Sequence, residues 1–361
     1  MSSIEKMASF LEKANKKVKK TYGADVMYVG SKLGNFLPLS TGFLTIDWGN
    51  SGIGGFPRGG ITLIHGMEST GKSTLVLEAI AFAQEEDKEF ICLYVDVENS
   101  LTEDFLQFKG VDPSRIVISS LNNEDALVQI EDAIKENIFD MIVIDSLAKL
   151  ESTKILEKDL GESGQRNRRA VIITEFLRRI SYILRKSKTA LVMINQEVQN
   201  QDTSPWAPKT ILPCGFQQRF SSNLILSLKR KGAIKDGKRR IGYELTITST
   251  KCKISDHERV ETTLLYIFDH GFLRTYAVID YLVMVDIIKK LTAGRYEFID
   301  KTLCSEVFKP KDITRIAAEL KNVKGVDLHK IRPDNVEFKK VDATGEPNEE
   351  SDLPETTMDA E

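Results

Sequence analysis

The sequence predicts an α/β protein in which a mostly parallel sheet, covered by helices, is extended by an antiparallel hairpin. Three observations predict it. Short β-rich apolar runs alternate with helical patterns from residue 61 to residue 195, the mark of a parallel sheet with crossover helices. A glycine-bearing loop, Gly66–Ser73, joins the first of those strands to the first of those helices. Beyond Asn195, two alternating strands flank a turn at Asp236-Gly237 and read as a hairpin.

Composition narrows the class. With 361 residues, 41% hydrophobic and 29% charged, the chain can bury a sizeable core and stay soluble, which excludes wholesale disorder and a fibrous repeat. At roughly 150 residues per domain the length suggests two or three domains. No apolar run is long enough to span a membrane, and Met1–Lys20 has no apolar signal core. The cysteines Cys92, Cys214, Cys252 and Cys304 are far apart and form no CxxC pair. That disfavours a zinc cage or a disulfide scaffold and points to a reducing cytoplasm, with no membrane partner.

The elements follow in chain order. Residues 1–30 read as a lysine-rich helix ending at Gly23, with Phe10, Leu11 and Val18 among Lys13, Lys16, Lys17, Lys19 and Lys20. The glycine-rich stretch Gly49–Gly60 separates this arm from the rest. Strands are expected at Ile61–His65, Phe90–Asp96, Met141–Asp145 and Thr189–Asn195, and helices at Ser73–Glu86, Asn123–Asn137 and Arg168–Lys186. Gln196–Pro213 is polar, proline-bearing and without period, hence loop. Strands Asn223–Lys229, Tyr243–Thr250 and Thr262–Phe268 make the antiparallel extension. The expected organisation is an arm at 1–35, a core at 36–275, a small α+β domain at 276–340 and a disordered acidic tail at 341–361. That tail holds eight acids and no Lys or Arg, so the net charge of −3 becomes +5 for residues 1–340. A mildly basic body with an acidic tail suggests a polyanion ligand with an electrostatic competitor attached; a merely solubilising tail is the alternative.

The chemistry starts at Gly66-Met-Glu-Ser-Thr-Gly-Lys-Ser73, which fits GxxxxGK[ST] in its strand–loop–helix setting. Gly66, Glu68, Ser69, Thr70, Gly71, Lys72, Ser73 and Thr74 are the candidate phosphate contacts. Lys72 would reach the β- and γ-phosphates and the Ser73 hydroxyl would ligate Mg²⁺. Asp145 ends a wholly apolar strand, where an unpaired carboxylate is costly, and is the candidate second Mg²⁺ anchor, through a water of its shell; an acid that caps the next helix is the alternative. Glu98, just beyond the strand ending at Asp96, is the candidate base that aligns water on the γ-phosphate; a helix-capping acid is the alternative. Gln196, a neutral amide at the end of the last parallel strand, would touch the γ-phosphate and report its loss to the loop that follows; a surface amide is the alternative. Basic residues also cluster where a plain nucleotidase needs none. There are ten against four acids from Lys154 to Lys188, and seven against one from Lys229 to Arg240. Such clusters favour nucleic acid.

Taken together these residues resemble the bacterial RecA recombinases, in a divergent form of the kind a phage or mobile element carries. The likeness runs from about Ser2 to Phe272. It is carried by Leu39-Ser-Thr-Gly42, Gly66–Ser73, Asp96-Val-Glu-Asn-Ser-Leu101, Val143-Ile-Asp-Ser146, Ile194-Asn-Gln196, Arg230–Gly237 and Lys251-Cys-Lys-Ile254. The resemblance implies a RecA-like ATPase core using ATP and Mg²⁺, a helical filament of identical subunits on single-stranded DNA with ATP at their interfaces, and strand exchange with double-stranded DNA. By position it makes Lys72, Glu98 and Gln196 catalytic and sets Phe105 against adenine. It places Lys251 and Lys253 in a neighbour's ATP site and Tyr266 on that neighbour's adenine. It also implies two DNA-binding loops, Glu157–Gln165 and Glu197–Gly215, with Gln165, Arg166, Arg168, Arg169, Gln199, Lys209, Gly215 and Phe216 as contacts.

The chain departs from the family pattern in places. Gln165 stands where a methionine wedge is expected, Thr102 replaces an adenine-contacting aspartate, and Glu197 stands where an Arg is expected. The second loop ends in Cys214-Gly215-Phe216 instead of paired glycines and Asn. Two other activities fit the same core: a hexameric DNA motor, and a mediator that binds ATP without appreciable turnover.

Overall fold

Every strand that ends near the phosphate loop belongs to one nine-stranded sheet, and that sheet decides which residues meet. The computed structural model describes residues 3–22, 34–150, 165–200, 204, 206–313 and 316, with the short pairs Asn322–Val323/Val326–Asp327 and Lys340–Val341/Pro347–Asn348. The first expected DNA loop, up to residue 164, lies outside the described residues, as does the acidic tail apart from Val341 and Pro347–Asn348.

Contacts divide the chain into Met1–Phe36 and Leu37–Glu361. The first unit holds helix α1 (Ser3–Tyr22), close to the predicted arm helix. In the second unit β1 (Pro38–Leu39) pairs with β2 (Phe56–Pro57), and a π-helical turn at Thr45–Asn50 lies between them. The elements then run β3 (Ile61–Gly66), α2 (Lys72–Glu86), β4 (Cys92–Asp96), α3 (Glu103–Phe108), β5 (Ile116–Ser119), α4 (Glu124–Glu136) and β6 (Met141–Asp145). They continue with α5 (Gln165–Lys186), β7 (Ala190–Gln196), β8 (Val198–Gln199), β9 (Thr210–Ile211) and α6 (Gln217–Ser221). The antiparallel part is β10 (Leu224–Asp236), β11 (Arg239–Cys252), β12 (Glu261–Ile267) and β13 (Gly271–Phe272). Last come α7 (Arg274–Met284), β14 (Ile288–Lys290), β15 (Tyr296–Phe298) and β16 (Val307–Phe308).

The sheet order is β13-β12-β11-β10-β3-β7-β6-β4-β5. From β10 to β5 every pairing is parallel, and from β10 to β13 every pairing is antiparallel. The predicted α/β class and its antiparallel extension therefore hold. The period-2 alternation of strands sorts side chains to two faces. Val143, Val192 and Ile194 pack with Leu75, Val76 and Ile80 of α2 on one face. Ile142, Ile144, Leu191 and Met193 pack with Ile130 of α4 and Leu177 and Ile180 of α5 on the other. A third core joins Val278, Ile279 and Leu282 of α7 to Ile288, Tyr296, Phe298 and Phe308, with Leu44 and Trp48 packed against it.

Two sequence expectations need correction. The Gly49–Gly60 stretch is part of the core, not a spacer. The Asn50 amide donates to the Val260 carbonyl at 3.0 Å, and Thr262 donates to Asn50 at 2.7 Å. The predicted loop 196–213 also contains strands, since β8 and β9 form a short antiparallel pair. Among the described residues no helix is long and apolar enough to cross a membrane.

Candidate functional site

The phosphate loop leaves β3 at Gly66, which sits between Leu228 of β10 and Gln196 of β7. Any side chain at Gly66 would put its Cβ 2.4 Å from the Leu228 carbonyl oxygen, so only glycine fits that close approach. Gly71 has φ +94°, and a Cβ there would meet the Tyr243 hydroxyl at 2.7 Å. Helix α2 starts directly after it with no side-chain cap and no acid in its first turn. Its free N–H groups and dipole are thus left for an anion. Lys72 curls back to donate to the Gly66 and Met67 carbonyls at 3.1 and 2.8 Å, holding the loop's shape.

Burial lowers the Lys72 pKa, and four carboxylates, Asp145, Glu98, Glu197 and Glu68, act against that shift. Asp145 is buried at the end of β6; its Oδ2 accepts from the Tyr94 hydroxyl at 2.6 Å, and Ser73 also hydrogen-bonds the carboxylate. Burial raises the Asp145 pKa, opposed first by the Ser73 and Tyr94 hydrogen bonds. A hydroxyl touching a carboxylate that burial disfavours in its charged form is a hard-oxygen donor pair suited to Mg²⁺, which keeps several waters and needs few protein ligands. Among the described residues no group of three or more His, Cys, Asp or Glu could hold a metal by itself. Glu98 is exposed and accepts from Ser146 at 3.3 Å, so β4 and β6 bring the expected base and the expected Mg²⁺ anchor to one edge.

Gln196 lies level with Gly66 across the β3–β7 pairing, beside the start of the phosphate loop. Its backbone N–H donates to Asn195 Oδ1 at 2.9 Å, and Asn195 Nδ2 donates to Gln218 at 2.7 Å and to the Pro213 carbonyl at 3.0 Å. The end of β7 is thereby tied to the far end of the second loop and to the start of α6. Glu197, noted in the sequence only as a missing Arg, receives Thr210 at 2.9 Å and lies 2.6 Å from His65 Nδ1. His65 went unrecognised because its contact depends on strand register, not on spacing; a histidine ending a buried strand was the available signal.

Phe105 lies on α3, half exposed, with Thr102 as the N-cap accepting from the Phe105 N–H at 3.2 Å. Capping accounts for Thr102 in place of aspartate, since both side chains cap well. Lys109 Nζ stands 5.8 Å from the Phe105 ring and 5.2 Å from the Tyr266 ring, and donates to the Tyr266 hydroxyl at 3.0 Å. Tyr266 also stacks on Tyr243 at 4.9 Å. The structure therefore groups Tyr266 with this chain's own Phe105. Lys251 and Lys253 lie elsewhere. Lys251 is level with Ile225 and hence with Leu63, three residues before Gly66 or roughly 10 Å back along the strand. Both lysines donate to the Phe220 carbonyl, at 3.1 and 3.2 Å, and Lys251 also to that of Arg219. Burial, then the charge of Lys253, lowers the Lys251 pKa to about 8.

The expected DNA contacts divide. Arg168, Gln199, Lys209, Gly215 and Phe216 are exposed. Gln165 and Arg166 open α5, and the structure describes only their backbone. Arg169 is a correction: it turns inward, donates to the Ala148 carbonyl at 2.6 Å and hydrogen-bonds the buried Cys214. It braces the start of α5 against the end of the second loop.

Comparison with known proteins matches residues 9–272 to the family model described as RecA N-terminal domain. The chain is 30% identical over 285 residues to Protein RecA of Sulfurovum sp. (strain NBC37-1), covering 78% of this chain and 80% of that protein. It is 32% identical over 266 residues to Protein RecA of Aquifex pyrophilus, covering 73% and 74%. With Protein RecA of Lactobacillus delbrueckii subsp. bulgaricus it shares 31% over 297 residues, covering 81% and 87%.

Proposed function

Since the chain belongs to the RecA family of recombinases, we propose that it is a cytoplasmic, ATP-dependent DNA recombinase that assembles as a helical filament on single-stranded DNA. In this reading it pairs that DNA with a homologous duplex, exchanges strands, and hydrolyses ATP when DNA is bound. One observation carries the reading: Lys72 sits under an uncapped helix start within reach of Asp145, Glu98 and Glu197, while Lys251 and Lys253 are grouped at another part of the sheet.

Lys72 exchanges its two carbonyl partners for the β- and γ-phosphate oxygens, and the α2 N–H groups complete the cradle. Mg²⁺, when bound, neutralises charge on the phosphate oxygens, and Ser73 and Asp145 are the residues to hold it. Glu98 orients water in line with the γ-phosphorus and accepts its proton. Phe105 and Tyr266 flank the base from the same chain. Lys251 and Lys253 leave the Phe220 carbonyl to reach the phosphates of the adjoining subunit, supplying the cations that stabilise the transition state only when copies are assembled. Helix α1, with exposed Ile4, Met7 and Phe10, supplies an apolar surface for that neighbour. Arg168, Lys209 and the exposed Trp206 and Phe216 suit a single strand, through phosphate pairing and base stacking. The acidic tail competes with the duplex for basic surface.

The test is ATP hydrolysis with and without single-stranded DNA, with electron micrographs of the same samples. Filaments with DNA-stimulated hydrolysis support the reading. Rings that unwind duplex DNA favour the motor, and filaments without turnover favour the mediator.

A further inference from the structure

The second loop is fastened to the phosphate loop by an acid that the chemistry above does not use. Glu197 Oε1 lies 2.6 Å from His65 Nδ1, Oε2 accepts from Thr210 at 2.9 Å, and the Glu197 N–H donates to the Gly66 carbonyl at 3.0 Å. Gly66 opens the phosphate loop and Thr210 belongs to β9, so this one residue spans from the nucleotide side to the β8–β9 hairpin. His65 Nε2 is buried and has no hydrogen-bond partner among the described residues, so the ring serves Glu197 alone. The carboxylate also senses the nucleotide side: Lys72 is among the groups that favour its charged form, and Glu197 does the same for Lys72.

We propose that Glu197 is a positioning residue whose negative charge reports nucleotide arrival to the second loop. A triphosphate seated on Lys72 takes up that lysine's charge and brings its own negative charge toward Glu197. The carboxylate is driven off His65 and Thr210, and the β8–β9 hairpin is released. A glutamine at 197 can keep these hydrogen bonds but carries no charge to repel, so charge and support are separable. Because release and nucleotide binding are coupled, weakening the latch must also tighten the nucleotide.

The test uses the full chain without DNA and rests on the nucleotide-site reading. Trp206 is 94% exposed in the segment joining β8 to β9, and Trp48 is the second of two tryptophans. Trp48→Phe therefore leaves Trp206 as the only indole reporter. In that background, Trp206 emission and affinity are followed on titration with Mg²⁺ and a non-hydrolysable ATP analogue. The parent should shift its emission on saturation. Glu197→Gln should start near the parent's nucleotide-free emission, lose at least half of the shift, and bind the analogue about five-fold tighter, because no charge opposes the phosphates. Thr210→Val, which removes one hydrogen bond from a surface hairpin, should move both readouts the same way by less.

A full shift with unchanged affinity in Glu197→Gln overturns the proposal. So does a lost shift with weaker binding, the result for a purely structural prop. Analogue binding by the parent with no emission change overturns the coupling alone. Failure of the parent to bind the analogue overturns the nucleotide site as well.

Discussion

Tyr94 Oη lies 2.6 Å from Asp145 Oδ2, and both residues are buried where β4 and β6 run side by side. The phenol is the acid's donor from inside the core, as Ser73 is from the phosphate loop. Tyr94→Phe removes that donor with little change of shape. It should cost about 1–3 kcal/mol of stability, the loss for a buried hydrogen bond to a charged acceptor. Denaturant midpoints at neutral pH check this. Added Mg²⁺ and nucleotide should stabilise the variant less than the parent, because its Asp145 is harder to keep ionised.

Asp280 predicts a pH dependence away from the site. Burial raises its pKa from the ordinary 3.8 to about 6, opposed by the Thr263 N–H, which donates to Oδ2 at 2.9 Å, and abetted by Glu244. The folded state therefore holds the proton more tightly than the unfolded chain. Its contribution to stability is fully present below about 3.8 and is lost as pH rises through about 6. Asp280→Asn keeps an acceptor for Thr263 and removes the titration. Relative to the parent it should gain stability across that window, to at most about 3 kcal/mol at pH 7. Melting curves at pH 4 and pH 7 decide it, and an equal difference at both would contradict the assignment.

Glu98→Gln should keep nucleotide and DNA binding while slowing hydrolysis by about 10²–10⁴-fold, the usual contribution of a positioned base. Filaments formed with ATP should then persist as they do with a non-hydrolysable analogue. Turnover within ten-fold of the parent would move the base elsewhere.

Neighbouring arginines on α5 should behave oppositely. Arg168→Ala leaves stability within about 0.5 kcal/mol but weakens single-stranded DNA binding and lowers the salt slope by about one. Arg169→Ala strips the Ala148 carbonyl of its donor and should destabilise the chain by about 1–3 kcal/mol. Salt-dependent DNA titrations and denaturant melts of the two variants separate these roles.

These cases mark how far the residues alone could be read. Met141–Asp145 was expected with the bounds it has, because a strand buried on both faces must be continuously apolar. The Gly66–Ser73 loop was legible because its glycines answer to local backbone demands. Strand β5 was missed because it is a four-residue edge strand whose Val117 and Ile118 are exposed, and α3 because it has only six residues. Arg168 and Arg169 look alike in sequence, and only the packing of α5 turns one outward and the other in. The His65–Glu197 contact arises from β3 and β7 lying side by side, a pairing between residues 132 positions apart.

In the proposed filament, ATP lies between the phosphate loop of one copy and Lys251 and Lys253 of the next. The direct measurement mixes Lys72→Ala with the double variant Lys251→Ala/Lys253→Ala and follows DNA-stimulated ATP hydrolysis. Each alone should be nearly inactive. In a 1:1 mixture, head-to-tail contacts join intact loops to intact lysine pairs at about one quarter of sites, so about a quarter of parental turnover should return. A mixture no more active than its separate components would contradict the account.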